Sequence, residues 1–257
     1  TTTPWTLSSN TALTVGKKID YVLVKTFNQY TFEPIQVVCA KALVGKQFTK
    51  KFFAAESEED FAKFSEEDKK IPYQILSEFK GSELLELRYE PVIDYVQPHD
   101  NPQDAYRVIA GDFVTTEDGT GIVHTSPTFG ADDAMVAKQA EPQIPPMLVK
   151  DENGNLVPLV DLQGRFRPEA PEKSVDVEIA IKLKEENKAF KVEKYVHSYP
   201  NCWRTDKPIL YYPLDSWFIK VTDVRDRMHE LNLGINWKPK ATGEGRFGNW
   251  LANANDW

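Results

Sequence analysis

The densest run of chemistry-bearing side chains in this sequence of 257 residues is EDGTGIVHTSPTFGADDAM, residues 117–135. His124 follows the apolar pair Ile122 and Val123, Pro127 ends that run, and Asp132 and Asp133 come just after Gly130. An imidazole at a strand end and carboxylates at a helix start, joined by a Gly/Pro loop, can present a ring and an anion to one polar ligand. The same residues have plainer uses. A first-turn carboxylate caps free N–H groups and complements the helix dipole, and a single His is commonly a satisfied rim or core residue. The second candidate is TTTPWTLSSN, in which four hydroxyls (Thr1, Thr2, Thr3 and Thr6) surround Trp5. Pattern reads it as an edge strand entering a turn, because Thr favours extended backbone and Pro4 restricts Thr3 and removes a ladder donor. The functional alternative is a strand whose hydroxyls face a polar ligand.

Other runs are poorer. HSYPNCWRTDKPILYY, residues 197–212, holds His197, Cys202, Trp203 and Arg204. A lone Cys and a lone His at that spacing make a poor metal site and an unsupported nucleophile, so the run reads as packing. TGEGRFGNW, residues 242–250, contains GxGxxG without the preceding strand or the Lys-Ser/Thr of a phosphate loop. No GxSxG elbow is present, and no metal site is expected. Cys39 and Cys202 are the only cysteines and lie far apart, which argues for a reducing compartment and against structural zinc.

The elements that must position these residues are legible in outline. Strand-like runs occur at 19–27, 35–40, 106–114, 121–125, 146–150 and 209–214, with helical stretches among them but no strict βαβ rhythm. This predicts an α+β fold with a mixed, mainly antiparallel, barrel-like sheet and peripheral helices. Residues 54–70 read as a solvated helical insertion, with Phe52, Phe53, Phe61 and Phe64 forming one apolar helix face. Asn153-Gly154 marks a hairpin turn, residues 171–188 a helix, and 222–232 a helix capped by Thr222. Asp132 or Asp133 starts a helix running through Met135 and Ala137. The net charge of −8 works against a broad nucleic-acid-binding face but not against gripping one single-stranded end. No apolar run reaches the roughly 18 residues of a membrane span, so no membrane partner is expected. The abrupt ends at Thr1 and Trp257 read as those of a piece of something longer.

Three segments in order, TTTPWTLSSN, GTGIVHTSPTFGADD and HSYPNCWRTDKPILYYPLDSWFI, together resemble the inserted editing (CP1) domain of the isoleucyl-tRNA synthetases. FKGSELLELRYEPVIDY, residues 79–95, fits the same family, and EGRFGNWLANANDW favours it over the valyl and leucyl relatives. The HIGH-type and KMSKS-type motifs of amino-acid activation are absent from this sequence. The resemblance implies an editing domain over residues 1–197 and a return segment, 198–257, leading back to a synthetase body. It implies hydrolysis of the ester in valine-bearing tRNA(Ile) with isoleucine excluded by size, a cytoplasmic location, and no cofactor for editing. ATP would serve only the catalytic body. Its partners would be the tRNA(Ile) 3′ end carrying valine, valine or valyl-adenylate-like ligands, and the rest of the synthetase. A non-catalytic module for the tRNA 3′ end and a general small-molecule esterase are the competing readings.

By the same carry-over Thr2, Thr3 and Asp133 are catalytic, with Asp133 pairing with the substrate's α-ammonium. Thr1, Trp5, Thr6 and His124 bind substrate, and His124 walls the side-chain pocket. Asp132 stands beside them and caps the helix. Ser126 replaces the Ala expected between His-Thr and Pro without disturbing the register.

Overall fold

The computed structural model describes residues 1–160, 176–194, 196, 198, 200–206, 209, 212 and 216–257. These divide into two compact units, Thr1–Tyr212 and Pro213–Trp257. In the first, the strands are β1 (Ala12–Val15), β2 (Asp20–Phe27), β3 (Pro34–Ala40), β4 (Phe52–Ala54), β5 (Ile71–Lys80), β6 (Arg107–Ala110), β7 (Ile122–Thr125), β8 (Val149–Lys150) and β9 (Leu156–Val157). Its helices are α1 (Val44–Gln47), α2 (Glu58–Lys63), α3 (Ala131–Gln139) and α4 (Asp176–Glu185).

The fold is mixed α+β. Among the described residues the ladders form three open sheets, in the orders β6-β1-β7, β3-β2-β5-β4 and β8-β9. Pairing is mainly antiparallel, with β1–β6 and β4–β5 parallel. The barrel-like closure expected from the run of short strands is not made by hydrogen bonds in this region. β1 ends after four residues and turns at once, through an Ile19 N–H to Gly16 carbonyl bond of 3.1 Å, into β2 of the second sheet. The two sheets meet by packing instead. Val15, Tyr21, Ala40, Leu43 and Val108 form a shared buried cluster. Within it the Tyr21 hydroxyl accepts the Gly16 N–H at 3.1 Å and donates to the Gly121 carbonyl at 2.6 Å.

The insertion differs from its sequence reading. Phe52 and Phe53 lie in β4, paired in parallel with β5, while Phe61 lies on α2 and Phe64 at its C-cap. The aromatic set is therefore divided between a strand and a helix: Phe52 belongs to the buried core with Val22 and Ile71, and Phe61 stacks towards Phe27. Ser57 and Asp60 close a capping box at the start of α2, which explains why so acidic a segment starts a helix where it does. The Asn153-Gly154 hairpin forms as expected between β8 and β9, with Gly154 at φ +81°. The 171–188 helix is seen as α4; residues 171–175, and all of the 209–214 strand except 209 and 212, lie outside the described residues.

The second unit is helical, with α5 (Arg225–Leu233), α6 (Ala241–Glu244) and α7 (Arg246–Ala252). Buried Asn232 ties it together: its Oδ1 accepts the Trp237 indole N–H at 2.9 Å and its amide donates to the Gly243 carbonyl at 3.0 Å. The GxGxxG run is used here in helix packing. Thr222 does not cap α5, whose N-cap is Val224; the Thr222 hydroxyl donates to Asp256 at 2.8 Å.

Candidate functional site

The threonine-rich segment is not a strand. Residues 1–3 lead into a 3-10 turn, Pro4–Ser9, with Pro4 at its first position, where a missing N–H costs nothing. The short hydroxyls fold back on their own backbone: Thr6 Oγ1 donates to the Thr3 carbonyl at 2.8 Å and Ser8 Oγ to the Trp5 carbonyl at 2.9 Å. Such local bonds compete with a sheet ladder, and here they prevail over the β preference of Thr. The Trp5 N–H is taken by Asp176 Oδ1 at 2.8 Å, so the first residue of α4 caps a turn 171 positions away. Trp5 meets Phe129 edge-on at 5.0 Å and packs on the cluster of Ile93, Ile179 and Leu183. Thr1 and Thr2 are exposed, Thr3 is half-buried, and Thr6 is buried.

His124 stands in β7 opposite Leu13 of β1, and both ring nitrogens are engaged. Nε2 lies 2.9 Å from Thr6 Oγ1, and Nδ1 lies 3.0 Å from Asn10 Nδ2. The Thr6 hydroxyl gives its proton to the Thr3 carbonyl, so the Nε2 contact requires the proton on His124, leaving Nδ1 to accept from the Asn10 amide. The ring is therefore the neutral Nε2–H tautomer. Burial pushes its pKa down to about 4. A ring so held has no free lone pair with which to take a proton.

Asp133 lies in the first turn of α3, and its Oδ2 accepts the Ser126 backbone N–H at 2.8 Å. That bond anchors it two residues beyond His124. A Cβ at Gly130 would sit 2.6 Å from Asp133 Oδ2, so a side chain there would have to displace the carboxylate. Burial raises the Asp133 pKa, the Ser126 N–H opposes that shift, and the neighbouring Asp132 charge adds to it. The capping role expected of Asp132 is not seen: the N-cap is Gly130, no side chain caps the helix, and Asp132 is exposed. The reason is geometric, because both carboxylates lie inside the first turn rather than ahead of it.

The structure thus joins Thr3, Thr6 and His124 by hydrogen bonds and fixes Asp133 to the loop leaving His124. It places Thr1 and Thr2 at the exposed start of the turn and Trp5, half-buried, against a core cluster. Sequence reading missed Asn10, Tyr89 and Asp176. Asn10 Nδ2 also donates to the Ala12 and Thr125 carbonyls, at 2.8 and 3.2 Å, and its Oδ1 accepts the Tyr89 hydroxyl. The available signal was a polar residue directly before the apolar alternation of β1; Tyr89 and Asp176 carry none in sequence.

A cleft of about 480 Å³ lined by Phe53, Lys63, Phe64 and Lys69 contains none of these residues, and its Asp60 and Asp68 carboxylates are occupied by backbone N–H groups. Among the described residues no group of three or more His, Cys, Asp or Glu side chains is placed to hold a metal ion. In the 197–212 run the packing expectation fails for Trp203, which is 82% exposed with the Arg204 guanidinium 4.5 Å from its ring centroid. His197 lies outside the described residues.

The family profile of the class I tRNA synthetases (I, L, M and V) matches residues 3–257. Isoleucine–tRNA ligase of Cytophaga hutchinsonii is 54% identical over 285 residues, an alignment covering 100% of this chain and 25% of that protein. The corresponding ligases of Bacteroides fragilis and Porphyromonas gingivalis are 48% and 46% identical, again over 100% of the chain and 25% of theirs. The chain thus spans about a quarter of the length of the curated relatives it matches. The crystal structure of GlLeuRS-CP1 overlaps 73% of this chain and 61% of its own at 16% identity, with a TM-score of 0.35, too low to carry an argument.

Proposed function

From its membership of the class I tRNA synthetases, to which this chain belongs, we propose that it is an editing unit that hydrolyses the ester of valine attached to tRNA(Ile) and excludes isoleucine by size. The observation that carries the reading is His124, held neutral and rigid by bonds to both nitrogens, with the Asp133 carboxylate anchored two residues along the same loop. A ring fixed in this way walls one side of the site, and the Asp133 carboxylate, fixed to the loop that follows it, takes an α-ammonium. Thr2 and Thr3, at the start of the turn, hold the ribose and the attacking water, with Thr1 and Thr6 beside them. Asp132 adds negative potential at the same helix end.

The chemistry asks little more. An aminoacyl ester next to an ammonium is already activated, so orienting water and carbonyl supplies most of the effect without a Ser-His or Cys-His pair. A second site is needed because one methylene in an apolar pocket is worth only about 1–3 kcal/mol, a rule for which isoleucine against valine is itself the standing example. A pocket that admits valine and clashes with isoleucine reverses the selection. Residues 1–197 would form this unit and 198–257 the return to a synthetase body, which would bind tRNA(Ile) in the cytoplasm and use ATP for activation elsewhere.

The test is deacylation by this chain of valyl-tRNA(Ile) and isoleucyl-tRNA(Ile) in parallel. The reading requires the valyl ester to be cleaved faster by about 5- to 150-fold, the range set by an overpacked pocket. Binding of both without turnover would replace it with a non-catalytic module for the tRNA end. Cleavage indifferent to the RNA would make it a general esterase.

A further inference from the structure

We propose that Tyr89 is the positioning residue of the site, acting through Asn10 to hold His124 as the Nε2–H donor to Thr6. The inference deepens the reading above and rests on it for its functional meaning. The bonds run one way from end to end. The Tyr89 hydroxyl donates to Asn10 Oδ1, Asn10 Nδ2 to His124 Nδ1, His124 Nε2 to Thr6 Oγ1, and Thr6 Oγ1 to the Thr3 carbonyl.

Tyr89 is suited to the head of that chain. Its N–H donates to the Tyr106 carbonyl at 3.1 Å, and the Tyr106 N–H in turn donates to the Thr11 carbonyl at 2.7 Å, so backbone pairing sets it beside the entrance to β1. Its ring stands edge-on to Tyr106 at 5.9 Å. Burial raises the pKa of its hydroxyl far above the usual phenol range, which keeps it a donor at every physiological pH.

The amide in the middle is the weak point. Asn10 has two N–H hydrogens for three acceptors, the Ala12 carbonyl, the Thr125 carbonyl and His124 Nδ1, so one bond is shared. A hydroxyl donating to the amide oxygen polarises the amide and strengthens what its N–H groups donate. Without that hydroxyl the buried Oδ1 loses its donor, and the amide relaxes by tipping away from the imidazole. The groups facing the ring are then Thr6, Leu13 and Asn10, and no charged side chain among the described residues bears on its pKa.

The experiment is ¹⁵N NMR of the His124 side chain across pH, in the unaltered chain, in Tyr89→Phe, and with a fluorinated tyrosine, a stronger donor of nearly the same shape, at position 89. The unaltered chain should show the Nε2–H tautomer titrating near pH 4. Tyr89→Phe should move that midpoint up, towards the ordinary value of about 6.5, and mix the tautomers. The fluorinated residue should move it further down, which keeps the proposal testable if Tyr89→Phe does not fold. An Nδ1–H tautomer in the unaltered chain, or a midpoint indifferent to both changes, overturns it. Ring protonation is read without any substrate, so a chain that titrates as stated yet leaves valyl-tRNA intact would sink the editing reading alone.

Discussion

His124 Nε2 lies 2.9 Å from Thr6 Oγ1, a bond between residues 118 positions apart that joins the threonine-rich turn to β7. It makes the imidazole part of the scaffold. In the proposed site the histidine gives the shape and the carboxylate of Asp133 the charge.

Asp133→Ala should reduce deacylation of valyl-tRNA by about 10- to 150-fold, the worth of one charge-assisted bond to an ammonium. Losing the bond to the Ser126 N–H should cost about 1 kcal/mol of stability. Thermal midpoint and deacylation measured on the same protein separate the roles. A residue serving only the helix would lose stability and keep turnover per folded molecule.

Ser126→Ala should leave stability unchanged or raise it by up to about 1 kcal/mol. The Ser126 hydroxyl is buried and has no partner among the described residues, so removing it relieves a desolvated group. The bond that anchors Asp133 is to the backbone N–H and survives the change. Denaturant midpoints decide it, and a loss above about 1 kcal/mol would mean that the hydroxyl is bonded in solution.

Stability should fall as pH drops from about 6.5 to about 4 through His124. Its folded pKa of about 4 lies below the unfolded value, so the unfolded chain binds more protons in that window. The contribution is fully present above the unfolded pKa and lost on descending to the folded one. Asp133 works in the opposite sense: its pKa is raised on folding, so stability declines as pH rises through the window just above the ordinary carboxylate value. Urea unfolding of the unaltered chain against His124→Gln, from pH 4 to 7, isolates the first slope, which the variant should lack.

Asp176→Ala should destabilise the threonine-rich turn by about 0.5–2 kcal/mol, as for loss of a helix cap, because the half-buried Trp5 N–H loses its acceptor. Amide exchange at residues 3–9 should quicken, with valyl-tRNA deacylation reduced. Unchanged exchange there would show that Trp5 packing alone holds the segment.

What the sequence showed depended on the range of the interaction that decides each element. β2, β3 and β7 were legible because apolar alternation and their bounding residues are local signals. The start of α3 was legible to within a residue or two from its acidic first turn, although the helix begins at Ala131 and not at Asp132 or Asp133. The 3-10 turn at Pro4–Ser9 was not, because it is held by hydroxyls bonding back to backbone and by Asp176, 171 residues away. The division of Phe52 and Phe61 between a strand and a helix followed the parallel pairing of β4 with β5, which no local window contains. Within the site His124 and Asp133 stood out by residue type and spacing. Asn10 and Tyr89 did not, since their importance lies in bonds of the folded state, Asn10 to a ring 114 positions away and Tyr89 to an amide 79 positions away.

The central claim is that His124 selects by shape and does not catalyse, and His124→Ala, assayed on both charged tRNAs across pH, tests it most directly. Removing a wall should let the protein attack isoleucyl-tRNA, which the proposed pocket would exclude by about 1–3 kcal/mol of overpacking, while valyl-tRNA is still cleaved. The pH profile should keep its shape, because a ring titrating near 4 contributes no limb at neutral pH. A fall of about 10²- to 10⁴-fold on both substrates, with loss of a limb in the histidine range, would make His124 the general base and contradict the account.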